Sequence, residues 1–133
     1  LDLNRNLLNG SIPKEVGLLR LLLLLDFSGN SLTGLVPTSI GNLSNLVYLY
    51  LYDNYLSGSI PNEIGLLKSL STLQFLINHL TGAIPASIGN LTNLFRIRLE
   101  ENAVSGSIPR GIGSMTSLTT LTLSQNMFSG SVQ

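Results

Sequence analysis

Leu46-Val47-Tyr48-Leu49-Tyr50-Leu51-Tyr52-Asp53-Asn54-Tyr55-Leu56-Ser57-Gly58-Ser59-Ile60-Pro61 is one pass through a pattern that fills the whole chain. Its asparagine belongs to a column, Asn6, Asn30, Asn54, Asn78, Asn102 and Asn126, with an unbroken interval of 24 residues. With each asparagine as position zero, position −3 is Leu3, Phe27, Leu51, Phe75, Leu99 and Leu123. Position +4 is Gly in every unit, from Gly10 to Gly130, and position +6 is always Ile or Val. Position +7 is proline until the last unit, where Gln133 stands. A fixed period between twenty and fifty residues marks stacked units rather than a globular domain. The chain therefore reads as a single array, residues 1–133, of about five to six units.

The chemistry inside one unit predicts its local structure. Leu49 and Leu51 alternate with Tyr48, Tyr50 and Tyr52, the period-two pattern of a half-buried strand. Stacked units then pair these strands in parallel. Asn54 falls where the chain leaves the strand, and its amide both donates and accepts. It is expected to satisfy backbone groups freed by the turn, including those of the next unit, at a cost of roughly 1–3 kcal/mol if replaced by Ala. The ladder Asn6, Asn30, Asn54, Asn78, Asn102 and Asn126 is thus read as structural. Next, Gly58 permits a positive φ, Ser57 bonds locally, and Pro61 blocks strand continuation. The segment Asn62–Leu67 is expected to bury Ile64 and Leu67 at helical spacing on the convex side.

Composition narrows the function classes. Charged residues are 11% of the chain, and seven basic residues balance seven acidic ones. A neutral chain has no electrostatic footprint for nucleic acid or an anionic membrane. The longest apolar runs, such as Leu21–Leu25, are too short to span a bilayer. No signal peptide is visible, and cysteine is absent. Leu1 begins in mid-unit and neither end carries capping sequence, so the expectation is an uncapped piece of a longer array with apolar end faces.

The strand half, L-x-x-L-x-L-x-x-N-x-L, is the leucine-rich-repeat pattern. With the second half, L-x-G-x-I-P-x-x-I-G-x-L, it resembles the plant-specific class of leucine-rich repeats along the whole chain. The resemblance implies an α/β solenoid wound as a right-handed superhelix. A parallel sheet would line the concave face, with short 3-10 or helical segments on the convex side. That class forms the extracellular domains of plant receptor-like kinases and receptor-like proteins, and the polygalacturonase-inhibiting proteins.

Function is to be sought where the repeat varies. Positions −6, −4, −2 and −1 face the concave side. They hold 23 residues, among them eight of the fourteen charged ones: Asp2, Arg5, Asp26, Asp53, Arg96, Arg98, Glu100 and Glu101. Tyr48, Tyr50 and Tyr52 form a stripe there, beside Asp53. Tyrosine combines apolar area with a polar tip and is enriched in binding hot spots; the alternative is that the rings cover one another and stiffen the sheet. Arg96 and Arg98 lie about 7 Å apart on one strand, spaced to clamp a carboxylate. They resemble the arginine pair with which some plant peptide-hormone receptors hold a peptide's C-terminal carboxylate. Glu100 and Glu101 follow on the same face, so internal pairing is the competing reading. Thr72, Gln74, Leu76 and Ile77 lie between the two clusters. Two strand spacings, about 10 Å, is a span that three or four extended residues cross. Leu76 and Ile77 are then apolar floor, and Leu23 and Leu24 are also unusually apolar for their columns.

Asn9, Asn42 and Asn90 each open a glycosylation sequon, and Asn42 and Asn90 share position +12 on the convex side. Nothing assembles catalysis or a cofactor site: the single histidine, His79, has no nucleophile or metal-ligand partner at useful spacing. The resemblance implies a segment of a receptor-like kinase ectodomain on the extracellular side of the plasma membrane. Its partners would be a secreted peptide or protein ligand and a leucine-rich-repeat co-receptor kinase. Kinase and membrane span would lie outside this chain. Two other readings stay open: a secreted inhibitor of a cell-wall-degrading enzyme, and a spacer within a longer ectodomain.

Overall fold

The structure is a computed structural model that describes residues 1–132. Each 24-residue unit makes one coil of a solenoid: a short strand, a turn at the ladder asparagine, a second short strand and a 3-10 turn. The strands run β1 Asn9–Ser11, β2 Leu24–Asp26, β3 Ser31–Leu35, β4 Tyr48–Tyr50, β5 Tyr55–Ser59 and β6 Thr72–Gln74. They continue as β7 His79–Thr81, β8 Arg96–Arg98, β9 Ser105–Gly106, β10 Thr120–Thr122 and β11 Met127–Phe128. The even-numbered strands form one parallel sheet in the order β2-β4-β6-β8-β10. This is the predicted concave sheet, with Leu25, Leu49, Leu73 and Ile97 in one register row and fully buried.

A second parallel sheet was not foreseen. Strands β1, β3, β5 and β7 pair in order, and a bridge from Ala83 to Ser105 leads on to β9 and β11. The sequence assigns no strand to the Leu-Ser-Gly-Ser-Ile segment, whose glycine permits a positive φ. Gly58 does sit at φ 70°, yet it pairs in register with Leu80 while Leu56 and Ile60 point into the core. Stacking identical segments completes the backbone bonds that no single unit could. Pro61 then ends the strand: its carbonyl accepts the Ile64 N–H at 3.1 Å and opens the 3-10 turn Asn62–Leu66. The same turn recurs at Lys14–Leu18, Thr38–Asn42, Ala86–Asn90 and Arg110–Ser114.

The core is a continuous column between the two sheets and the turns. Ile64, Leu67 and Leu70 are fully buried, as expected for the first two, and so are their counterparts Ile40, Leu43, Leu46, Ile88, Leu91 and Leu94. Each such leucine contributes about 1.5–3 kcal/mol of burial energy. Leu19, in the column of Leu43, is 44% exposed because no unit stacks on that side of it. Among the described residues, no helix is long and apolar enough to cross a membrane.

The asparagine ladder holds adjacent units together. Asn54 Oδ1 accepts the Leu32 N–H at 3.0 Å, and its Nδ2 donates to the carbonyls of Phe27 at 3.0 Å, Leu51 at 3.2 Å and Tyr52 at 3.3 Å. Leu32 and Phe27 belong to the preceding unit, so the expected bond to the next unit runs the other way. The amide follows its own strand, and the groups within its reach there are those of the unit before it. Asn30, Asn78, Asn102 and Asn126 repeat the geometry.

Candidate ligand-binding surface

Strand register decides which variable residues meet. Tyr48, Thr72 and Arg96 form one row across β4, β6 and β8, and Tyr50, Gln74 and Arg98 form the next. The tyrosine and arginine clusters therefore lie on the same face, two strands apart, with Thr72 and Gln74 between them. Alternation along each strand turns Leu49, Leu73 and Ile97 inward and these residues outward.

The tyrosines make a continuous aromatic stripe. Tyr48 and Tyr50 have ring centroids 6.3 Å apart at a 33° tilt, and Tyr50 meets Tyr52 edge-on, also at 6.3 Å. Tyr48 is 41% exposed, while Tyr50 and Tyr52 are half-buried. The rings brace one another and still present area to solvent. Burial raises the Tyr50 phenol above its ordinary value, with Tyr48, Asp26 and Tyr52 adding to the effect and Arg96 opposing it. The Tyr50 hydroxyl is thereby held in its neutral form, as both a donor and an acceptor.

The arginines are not equivalent. Arg98 donates from Nε to Glu100 Oε1 at 2.9 Å, and its Nη2 pairs with the same oxygen. This is the sole ion pair among the described residues. Thr122 Oγ1 donates to the other carboxylate oxygen, Oε2, at 2.5 Å. Burial alone would raise the Glu100 pKa; the Thr122 hydroxyl, its own backbone N–H and Arg98 outweigh that and hold it below the ordinary value. Arg96 is exposed, with its guanidinium 5.7 Å from the Phe95 ring centroid. Internal pairing, the competing reading, thus applies to Arg98, while Arg96 has no carboxylate partner among the described residues. Glu101 is exposed and lies outside the pair.

Other concave positions also depart from a simple outward-facing surface. Leu76 is 7% exposed, and Thr72, Asp26 and Ser28 are also buried. Asp26 accepts from the Ser28 hydroxyl at 2.6 Å and from Asn4 Nδ2 at 3.3 Å. Ile77 is 39% exposed, and it occupies the left-handed region with φ 55°. Arg5, Asp53, Glu101 and Gln125 in its column do the same. That column was read as strand-like; the one available signal was Gly29, the residue type that adopts positive φ without cost.

The remaining residues of interest stand apart. Asn9 opens β1, and Asn42 and Asn90 close their 3-10 turns; all three are exposed. His79 lies on the second sheet, edge-on to Tyr55 at 5.7 Å. Among the described residues, no group of three or more His, Cys, Asp or Glu could hold a metal ion. Hollows lie against Leu18–Leu22 and at the terminal units, while Tyr48 and Arg96 are exposed on the tyrosine–arginine face.

Comparison with known proteins fits this architecture. A family model described as a leucine-rich repeat region matches residues 39–132, and a leucine-rich-repeat unit matches residues 21–43. No match emerges among curated protein sequences. Among solved structures, a TDR receptor is 44% identical with a TM-score of 0.95, over 96% of this chain and 22% of that one. The plant peptide hormone receptor RGFR1, in complex with RGF2, is 41% identical with a TM-score of 0.93, over 94% and 20%. The Arabidopsis receptor kinase HAESA, in complex with the peptide hormone IDA and the co-receptor SERK1, is 34% identical with a TM-score of 0.78, over 96% and 25%. The chain belongs to the plant leucine-rich-repeat receptor family. It spans about a fifth to a quarter of the length of these three neighbours.

Proposed function

We propose that the concave face captures the C-terminal end of an extended, secreted peptide. The observation that carries this is the shared register: Tyr48, Tyr50 and Tyr52 lie two strands from Arg96 and Arg98, on one open face. A peptide crossing β4, β6 and β8 lays apolar side chains on the rings, where aromatic area gives affinity. Gln74 offers a donor and an acceptor to the peptide backbone. Arg96 takes the terminal carboxylate through charge-assisted hydrogen bonds, beside the pre-aimed Arg98.

The parent protein is then a single-pass receptor-like kinase, with its kinase beyond the membrane and outside this chain. Peptide capture would recruit a leucine-rich-repeat co-receptor kinase and bring two kinase domains together. Glycans on Asn9, Asn42 and Asn90 would leave the concave track clear, since these residues lie on the second sheet and the 3-10 turns. The test is calorimetric titration of the chain with candidate peptides, each as free acid and as C-terminal amide. The free acid is expected to bind at least about tenfold more tightly, the scale of a charge-assisted hydrogen bond. Arg96→Ala should erase that difference. Equal affinities for acid and amide in the wild-type chain would overturn the proposal.

A further inference from the structure

Two cations placed to meet one carboxylate raise a question of selectivity. A pair of bare guanidiniums about 7 Å apart is a field of two positive charges, which favours dianions over a peptide terminus. The chain does not present that field. Glu100 takes both Nε and Nη2 of Arg98 on one oxygen, and Thr122 fixes the other oxygen from the neighbouring strand β10. The Glu100 side chain is 11% exposed, so it is packed in place rather than free to swing into solvent. Arg96, two residues before Arg98 on β8, has no carboxylate partner among the described residues.

We propose that Glu100, braced by Thr122, is the positioning residue that sets the charge selectivity of this face. It cancels the charge of Arg98 and aims its remaining N–H groups along the track. Within the Arg96–Arg98 pair, Arg96 is left as the one cation without a carboxylate partner, so the site takes one negative charge and discriminates against two. The inference rests on the carboxylate-capture reading above and adds what that reading lacks: why a terminal carboxylate is preferred to a phosphate, a sulfate or an acidic C-terminal residue. Hydrogen-bond geometry supports the division of labour. With Nε and one Nη2 hydrogen committed to Glu100, both Nη1 hydrogens of Arg98 remain available.

Two measurements on the full chain test this. In the first, phenylglyoxal modification is followed by mass spectrometry, which reads Arg96 and Arg98 separately. Arg96 should react several-fold faster than Arg98 in the wild-type chain. Glu100→Gln should bring Arg98 up to the Arg96 rate, and Thr122→Val should move it part of the way. In the second, arginine Nε–H signals are followed by NMR during titration with N-acetylasparagine and N-acetylaspartate, near-isosteric probes carrying one and two carboxylates. The wild-type chain should bind the dianion no better than the monoanion. Glu100→Gln should raise the dianion-to-monoanion affinity ratio by about three- to tenfold, the effect of one added charge at this distance.

Equal modification of the two arginines in the wild-type chain would overturn the inference without any variant. An unmoved affinity ratio in Glu100→Gln would overturn it too, because it would make the pair merely structural. If neither acid moves Arg96 in the wild-type chain, carboxylate capture itself falls and takes this inference with it. If Arg96 responds but the ratio does not change, only the role of Glu100 falls.

Discussion

The asparagine seam and the concave face are built from the same elements, yet they use them in opposite ways. Along the seam, every full unit repeats one set of bonds: an Oδ1 accepting from the preceding unit, and an Nδ2 donating to its own strand and to the preceding one. On the concave face the bonding changes along the array: the Asp2–Asn4 pattern recurs once, as Asp26–Ser28, and then gives way to other groupings. Asn4, Asp2, Asp26 and Ser28 make one network, the tyrosines a second, and Arg98, Glu100 and Thr122 a third. The seam solves a problem that every coil shares, namely backbone groups freed by a turn, and so its chemistry is constant. The concave side chains satisfy no backbone requirement common to all coils, and are therefore free to carry information.

The sharpest way to break this comparison is to remove one rung. Asn54→Ala strips the Leu32 N–H and the Phe27 carbonyl of a buried partner and should destabilise the chain by about 1–3 kcal/mol in urea unfolding. Asn6 bonds only the Leu3 and Asn4 carbonyls of its own unit and is exposed, so Asn6→Ala should cost well under half as much. Equal losses would mean that the seam acts within coils rather than between them.

The boundary between seam and face offers a second test, of opposite sign. Ile77 is a β-branched residue at φ 55°, where an L side chain crowds its own backbone. Ile77→Asn should stabilise the chain by about 1 kcal/mol, since asparagine tolerates this region and the Ile side chain is already 39% exposed. A loss of stability would instead show that Ile77 packs against the concave surface strongly enough to offset its backbone strain.

These positions also show what the amino-acid order made legible. Period and alternation placed Leu49, Leu51, Ile64 and Leu67 in the core and the tyrosines and arginines on one face, because both depend on local geometry alone. The second sheet escaped because Ser57-Gly58-Ser59 has no strand propensity of its own and pairs only through its stacked copies. The burial of Leu76 escaped because alternation along a strand sets direction and not depth. Internal pairing of Arg98 was legible from Glu100 two residues on, but its brace was not, because Thr122 lies 22 positions downstream in the next unit.

The smallest effect concerns that last network and follows from its acid–base balance. Burial opposes the Glu100 charge, but the Thr122 hydroxyl, the backbone N–H and Arg98 together lower its pKa below the ordinary value of 4.5. A carboxylate with a depressed folded pKa stabilises the folded state above its unfolded pKa, and that contribution is lost as pH falls towards the folded value. The wild-type chain should therefore lose stability relative to Glu100→Gln as pH is lowered through and below 4.5, with the two curves running parallel at neutral pH. Paired urea titrations at several pH values would show it. Thr122→Val should reduce the effect without removing it, because Arg98 still holds the charged form. Curves that stay parallel throughout would mean that the Glu100 charge contributes nothing to folding; the pair would then be held in place by its packing alone.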